Sequence, residues 1–184
     1  MRKEGVTKSD IRERIKHEVS AMSSAARLRA DRKIFNRFFK KESVERAQRI
    51  CIYVSRPDEV NTTRIIDRLW ETGKTVIVPR VDGDHLTLHE ITSVDDLTEG
   101  RFHILEPKDT CPVAHPSTVD LFVVPGVAFD KSGQRLGHGF GFFDRLLKTV
   151  TAPKLGLAYA CQVIAEVPHT SYDVSVTALV TEKN

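Results

Sequence analysis

A glycine-rich segment between two arginines contains the residue types that a phosphate site needs. The segment is RLGHGFGFFDR, residues 135–145. Its glycines Gly137, Gly139 and Gly141 have no Cβ, so their backbone can adopt positive φ and bring N–H groups close to an anion. The flanking Arg135 and Arg145 carry guanidinium groups whose geometry matches phosphate oxygens. The segment therefore predicts a binding site for a polyphosphate.

The same segment contains one acid, Asp144. A carboxylate beside phosphate groups is repelled unless a cation lies between them, and Mg²⁺ favours one or two carboxylates together with phosphate oxygens and water. These residues predict a nucleoside triphosphate with its metal. The GxGxG spacing matches neither the dinucleotide-binding GxGxxG nor the P-loop GxxxxGK[ST]. On spacing alone, a structural glycine turn with solvated arginines is an equally good interpretation.

The elements around this segment indicate an α/β fold. VDLFVVPGVAF, residues 119–129, is a continuous apolar run that predicts a central strand covered on both faces. A helical pattern covers residues 141–149, so the glycine segment lies between a strand and a helix. Ligands of open α/β sheets bind beyond the carboxyl ends of the strands. The segment is thus well placed for binding.

Further strands and helices alternate along the chain, which predicts a mostly parallel sheet between helical layers. The predicted strands are residues 49–55, 74–81, 154–160 and 176–182, with residues 85–91 as a hairpin partner at an edge. A helix is predicted after Thr62, a possible cap, and before Gly73. Residues 9–40 predict one or two helices, meeting near residues 22–24, with Ser9 or Asp10 as the cap. Residues 108–118 predict a surface loop, and Trp70 a core position.

Composition limits the class of protein. The 184 residues are 40% apolar and 29% charged, which suits a single domain over residues 1–184 with a helical region at about 8–40. A net charge of +3 is too small to predict nucleic-acid binding. Three separated cysteines without ligand spacing argue against disulfides and structural zinc. No apolar run suits a membrane span or a signal peptide, so we expect a cytoplasmic protein.

A long motif resembles a known family. Residues 123–147, VVPGVAFDKSGQRLGHGFGFFDRLL, are similar to the signature PGxxFDxxGxRLGxGxGYYDR of 5-formyltetrahydrofolate cyclo-ligases, also called 5,10-methenyltetrahydrofolate synthetases. Twelve positions match in register: Pro125, Gly126, Phe129, Asp130, Gly133, Arg135, Leu136, Gly137, Gly139, Gly141, Asp144 and Arg145. Shorter matches follow the same order along the chain: Lys8 and Arg12, then residues 58–62, 78–80, 106–107 and 172–182.

The resemblance implies a fold and a reaction. The fold would be a three-layer α/β/α arrangement of the NagB/RpiA/CoA-transferase type. The reaction would be the ATP- and Mg²⁺-dependent closure of 5-formyltetrahydrofolate to 5,10-methenyltetrahydrofolate, with release of ADP and phosphate. The formyl oxygen would be phosphorylated and then displaced by N10. The expected partner is this small molecule, with or without a polyglutamate tail, and a monomer is expected.

The resemblance also implies roles for particular residues. Lys8 and Arg12 would bind nucleotide phosphates, and Arg135 and Arg145 would take part in catalysis. Asp144 and Asp173 would hold the metal. The nucleotide loop would comprise Arg135, Leu136, Gly137, His138, Gly139, Phe140, Gly141, Phe142 and Phe143. Glu59 would pair with the pterin, beside which His138, Gly139, Phe140, Gly141 and Phe142 would border the substrate.

Some positions depart from the family pattern and leave other functions open. Phe142 and Phe143 replace tyrosines, Phe140 occupies a position that is often small or basic, and Asn61 replaces an aspartate. These changes favour, as an alternative, a non-catalytic folate- or RNA-binding paralogue on the same fold. Another phosphate-handling enzyme, such as a sugar-phosphate isomerase, would leave Lys8, Arg12 and Glu59 without roles.

Overall fold

A seven-stranded sheet forms the centre of the computed structural model, which describes residues 6–100 and 104–183. The strands are β1 (Arg49–Ile52), β2 (Thr75–Asp82), β3 (His85–Ile91), β4 (Leu97–Glu99), β5 (Leu105–Pro107), β6 (Val113–Ala114), β7 (Leu121–Val124), β8 (Ala128–Phe129), β9 (Arg135–Leu136), β10 (Lys154–Leu157) and β11 (Ala178–Val180). Their order in the main sheet is β11–β10–β7–β1–β2–β3–β6. The pairs from β11 to β2 are parallel, and β3 is antiparallel to both neighbours. The predicted α/β fold with a mostly parallel sheet is confirmed.

Helices cover both faces of this sheet. They are α1 (Lys8–Ser20), α2 (Ser24–Phe38), α3 (Glu42–Arg46), α4 (Thr63–Glu71) and α5 (Phe142–Leu147). One face carries alternate strand residues such as Ile50 and Ile52, which belong to a buried cluster with apolar residues of α1, α2 and α4. On the other face, Cys51 and Phe122 pack in a second cluster with Leu146 and Leu147 of α5. This alternation follows from the strand repeat of two residues.

The predicted helix starts were partly wrong. Thr7, rather than Ser9 or Asp10, caps α1, and its hydroxyl and the Asp10 carboxylate form a reciprocal capping box. Thr62 occupies the N-cap position of α4 as predicted, but its buried hydroxyl donates to the Tyr53 carbonyl at 2.8 Å and makes no capping bond. The Asn61 side chain instead accepts from Thr63 N at 3.0 Å. The Gly73 stop is confirmed, with φ of 73°.

Three predicted segments also differ from the structure. β3 is not an edge strand, because β6 pairs with its Leu88 and His89. Residues 108–118 therefore include a strand and are not only a surface loop. The run 119–129 is divided at Pro125 into β7 and β8, since proline has no N–H to continue a ladder. Trp70 is partly buried and donates to the Ile91 carbonyl at 3.1 Å, as its predicted core position requires.

Among the described residues, no helix combines the length and the apolar character that crossing a membrane requires.

Candidate active site

Two neighbouring cavities lie beyond the carboxyl ends of β1 and β7. We call the first the apolar cavity, because its walls include Pro79, Val81, Leu86, Ile104, Phe142 and Phe143. We call the second the basic cleft, because Arg12 and Lys16 of α1 line it. Arg56, Glu59 and His138 line both cavities. A ligand with an apolar ring at one end and anionic groups at the other would fit this pair.

The glycine loop joins α1 to this site. Gly139 and Gly141 have φ of 106° and 70°, so the predicted positive φ is confirmed at these two positions, whereas Gly137 does not adopt it. Arg12 Nε donates to the Gly137 carbonyl at 2.9 Å, and a Cβ on Gly139 would lie 3.6 Å from Arg12 Nη2. α1 and the loop, 125 residues apart in sequence, therefore form one wall of the site.

Arg135 is a buried part of the site rather than an open phosphate ligand. Its side chain is 3% exposed, and its Nη2 donates to Asp144 Oδ1 at 2.7 Å. Nη1 donates to the Pro125 carbonyl at 3.2 Å, and Nε is buried without a hydrogen-bond partner in the described part of the chain. The structure thus places Arg135 next to the acid predicted to bind metal. Its catalytic role stays a prediction.

Lys8 and Asp173 form a second ion pair, with Lys8 Nζ 2.7 Å from Asp173 Oδ2. Burial opposes ionisation of Asp173, but hydrogen bonds from Lys8 and Thr170 outweigh it and hold the pKa of this carboxyl below its usual value. Both predicted metal ligands are therefore paired with predicted phosphate ligands. A ligand that bound to any of these four residues would have to compete with the existing ion pairs.

The two acids adjoin each other and suit Mg²⁺ only together with a ligand. Asp144 Oδ1 also accepts from Val174 N at 3.0 Å, which brings it to the residue after Asp173. Within residues 6–100 and 104–183, Asp144 Oδ2 and Asp173 Oδ1 accept no hydrogen bond, and no cluster of three or more acidic, histidine or cysteine residues is present for a metal. This donor set fits an ion that brings phosphate oxygens and water as its other ligands.

Glu59 and His138 form a pair where the two cavities meet. His138 Nε2 lies 3.0 Å from Glu59 Oε1, and since an ionised carboxylate only accepts, the imidazole donates. Glu59 Oε2 accepts from Arg56 N at 2.9 Å. The Tyr159 hydroxyl, which donates to Asp31 at 2.8 Å, lies 3.2 Å from the Glu59 carbonyl. The position of Glu59 is thus fixed from three sides.

Known proteins share sequence similarity with this chain over most of its length. The model of the 5-formyltetrahydrofolate cyclo-ligase family matches residues 4–182. The chain belongs to that family. The Escherichia coli K12 5-formyltetrahydrofolate cyclo-ligase is 34% identical over 143 residues, which cover 73% of this chain and 78% of the relative. The Mus musculus enzyme of that name is 27% identical over 195 residues, 95% of this chain and 93% of the relative.

A solved structure agrees with the sequence matches. The NMR structure of the Aquifex aeolicus 5,10-methenyltetrahydrofolate synthetase superposes with a TM-score of 0.87 at 35% identity, and the alignment covers 96% of this chain and 90% of that one. The resemblance read from residues 123–147 is therefore confirmed. So is the prediction that the chain is an enzyme of the cyclo-ligase class.

The remaining predicted residues of this cyclo-ligase lie at the margin of the site. Arg145 does not line either cavity: it donates to the carbonyls of Asp84 and Phe140, and its guanidinium lies 5.3 Å from the Phe142 ring centre. Phe140 is 55% exposed and stacks on Phe142 at 5.7 Å. The Leu136 side chain is part of the buried core, which leaves only its backbone for contact with a ligand. These placements favour positioning roles over direct chemistry.

Three cavity residues were not predicted from the sequence: Arg56, Lys16 and Glu106. Arg56 lies two residues before the family match at residues 58–62, and Lys16 is four residues after Arg12 on α1. The helical repeat was a signal that Lys16 shares the face of Arg12. The only sequence signal for Glu106 was the two-residue family match at residues 106–107, which by itself does not indicate any chemistry.

Proposed function

We propose that this cyclo-ligase converts 5-formyltetrahydrofolate and ATP to 5,10-methenyltetrahydrofolate, ADP and phosphate. Membership of the family gives the class, a ligase of folate metabolism. The use of ATP, the need for Mg²⁺ and the order of the steps belong to the proposal. A cytoplasmic location and a monomeric state stay predictions from the sequence.

The chemistry explains the need for a nucleotide. A formamide oxygen is a poor leaving group, so the formyl oxygen first attacks the γ-phosphorus and ADP departs. N10 then attacks the formyl carbon and loses its proton, and the C–O bond breaks as phosphate leaves with the bonding electrons. The product carries the carbon between N5 and N10 as an amidinium cation. Such a transfer depends on positioning and charge neutralisation more than on covalent help from the protein.

The observation that carries the proposal is the meeting of the apolar cavity and the basic cleft at Glu59 and His138. A flat pterin suits walls of proline, aliphatic and phenylalanine side chains. A triphosphate suits the cleft, where Arg12 and Lys16 supply positive charge. With the ligands bound in this way, the formyl group would lie beside the γ-phosphate at the junction.

The ion pairs supply residues that a bound nucleotide would engage. Lys8 and Arg12, now bonded to Asp173 and to the Gly137 carbonyl, would bind phosphate oxygens, and Arg135 would keep Asp144 in place through their hydrogen bond. Asp144 and Asp173 would hold Mg²⁺, which when bound neutralises phosphate charge. Lys8 would then exchange the Asp173 carboxylate for a phosphate oxygen. In that exchange Lys8 would face a phosphate group and Asp173 would face Mg²⁺, so each would keep an opposite charge beside it.

An absorbance assay for methenyltetrahydrofolate, with 5-formyltetrahydrofolate, ATP and Mg²⁺, tests the proposal. We expect product and ADP in equal amounts, and no ADP when the folate is omitted. The absence of both products would contradict the proposal and favour a non-catalytic binding protein. Salt-sensitive retention of RNA would then support the RNA-binding version of that alternative.

A further inference from the structure

A second carboxylate lines the apolar cavity. Glu106 lies on β5, and the residue is 7% exposed. It borders the apolar cavity but not the basic cleft, whereas Glu59 borders both. Glu106 therefore marks the end of the site away from Arg12 and Lys16.

The Glu106 carboxylate is open to a ligand. Within residues 6–100 and 104–183 it accepts no hydrogen bond and forms no ion pair, since the neighbouring cation Arg80 pairs with Asp109. In that part of the chain, only Arg27 and Arg135 contain buried side-chain atoms without a partner. The Glu106 oxygens are consequently not sealed in the protein, and the residue itself lines the apolar cavity.

Glu59 lacks this freedom. Both of its oxygens already accept hydrogen bonds, from His138 and from the Arg56 backbone. A pterin that paired with Glu59 would have to share these oxygens with His138 and with the Arg56 N–H. A carboxylate among apolar walls is costly unless donors reach it, and Glu106 has none from the described protein.

Gly100 makes room for the Glu106 side chain. A Cβ at this position would overlap the carboxylate and lie 2.7 Å from Glu106 Cγ. The overlapping atoms are the far end of a flexible side chain, so a methyl group would displace the carboxylate while the backbone keeps its course. The placement of Glu106 thus depends on a glycine six residues earlier.

We propose that Glu106 is the residue that recognises the amino-pyrimidine edge of the folate. Its two oxygens accept from the 2-amino group and from N3–H, a pairing that matches a carboxylate in geometry. Glu59 stays with His138 at the junction, next to the reacting formyl group. This inference deepens the proposed function and rests on it.

Binding of 5-formyltetrahydrofolate without ATP, measured by calorimetry, tests the assignment. Glu106→Leu should weaken binding roughly 10- to 100-fold, the usual effect of losing charge-assisted hydrogen bonds, and leave the KM for ATP within about twofold. Glu106→Gln keeps one acceptor and should lose less. Gly100→Ala should weaken folate binding while the thermal unfolding midpoint stays near that of the wild type.

An analogue without the 2-amino group identifies the atoms involved. The wild type should bind 2-desamino-5-formyltetrahydrofolate more weakly than the natural compound, whereas Glu106→Leu should bind both equally. If Glu106→Leu still discriminated between them, or bound the natural compound as the wild type does, the assignment would be wrong. A wild type that binds the folate but forms no methenyl product would instead contradict the proposed function.

Discussion

Four charged residues of the site form two ion pairs. Arg135 bonds Asp144 and Lys8 bonds Asp173, so each predicted metal ligand is paired with a predicted phosphate ligand. From the sequence these four appeared as separate cations and acids, because 165 residues separate Lys8 from Asp173. Only the folded chain brings them together. Their roles therefore have to be tested by changes that remove charge and keep shape.

Asp144→Asn removes charge with little change of shape. The amide oxygen can still accept from Arg135 and from Val174 N, so the local structure should persist. We expect kcat to fall roughly 100-fold, because a group that neutralises transition-state charge is lost, and the Kd for folate to change little. Absorbance assays of product formation measure kcat, and calorimetry measures the Kd for folate. Asp67→Asn on the exposed face of α4 is the control, and equal losses of kcat and folate affinity would argue against a metal role.

Lys8→Met tests the phosphate role of α1. The change keeps the length of the side chain but removes the ammonium group, which should raise the KM for ATP roughly 10-fold or more. The same substitution frees Asp173 from one of the hydrogen bonds that lower its pKa. Initial rates at varied ATP provide the measurement, with Lys33→Met, exposed on α2, as the control. An unchanged KM for ATP would show that the Lys8–Asp173 pair serves only structure.

Elements were predictable where they are long and strongly patterned. β1, β2, β7 and β10 follow from runs of β-branched and apolar residues, and α1 and α2 from the helical repeat. The strands β4, β5 and β6 have two or three residues each, too few for a period to be read. Glu106 lies on one of these, which is why its place in the cavity was not predictable. The contact between α1 and the glycine loop depends on tertiary packing and was visible only through the family resemblance.

The glycine loop depends on a conformation that other residues resist. At Gly139, with φ of 106°, a Cβ would meet no atom closer than 3.6 Å, so Gly139→Ala costs backbone strain rather than a clash. We expect a loss of about 1–3 kcal/mol in stability, together with a higher KM for ATP as the loop moves from Arg12.

Gly73→Ala is the matched control for that substitution. Gly73 also has positive φ and an open surrounding, but it ends α4 away from the site. Urea unfolding should therefore report similar losses for the two variants, while only Gly139→Ala changes the kinetics for ATP. Unaltered kinetics in Gly139→Ala would mean that the loop geometry is not needed for nucleotide binding.

The candidate active site lies at one end of the sheet, beyond the carboxyl ends of its parallel strands. The order of strands puts β1 beside β7, so the segments that follow them, with Glu59 and Pro125, converge. The general rule for open α/β sheets predicted this edge, and the sequence alone predicted the loop that occupies it. The sequence did not predict that the site is divided into an apolar cavity and a basic cleft. That division depends on how β2, β3 and β5 pack around the glycine loop.

One residue of the family motif serves the fold instead of the site. Asp130 is buried after β8, where Oδ1 accepts from Ser132 N, Ser132 Oγ and Gln134 N, and Oδ2 accepts from Val167 N at 2.9 Å. Burial opposes its ionisation, but these hydrogen bonds outweigh burial and hold the pKa of Asp130 below its ordinary value. The carboxylate thus ties the β8–β9 turn to the segment around residue 167.

The lowered pKa of Asp130 predicts how stability depends on pH. A carboxyl whose pKa is lower in the folded state contributes stability above its unfolded pKa, near 3.9, and loses it as the pH falls through the folded pKa. Asp130→Asn should therefore lower the free energy of unfolding at pH 7 by about 2 kcal/mol, because one backbone donor is left unsatisfied. Urea unfolding should show the difference from the wild type narrowing below about pH 4, while exposed Asp67→Asn follows the wild type throughout. A difference that stayed constant from pH 7 to pH 3 would mean that the ionised form of Asp130 does not hold the turn.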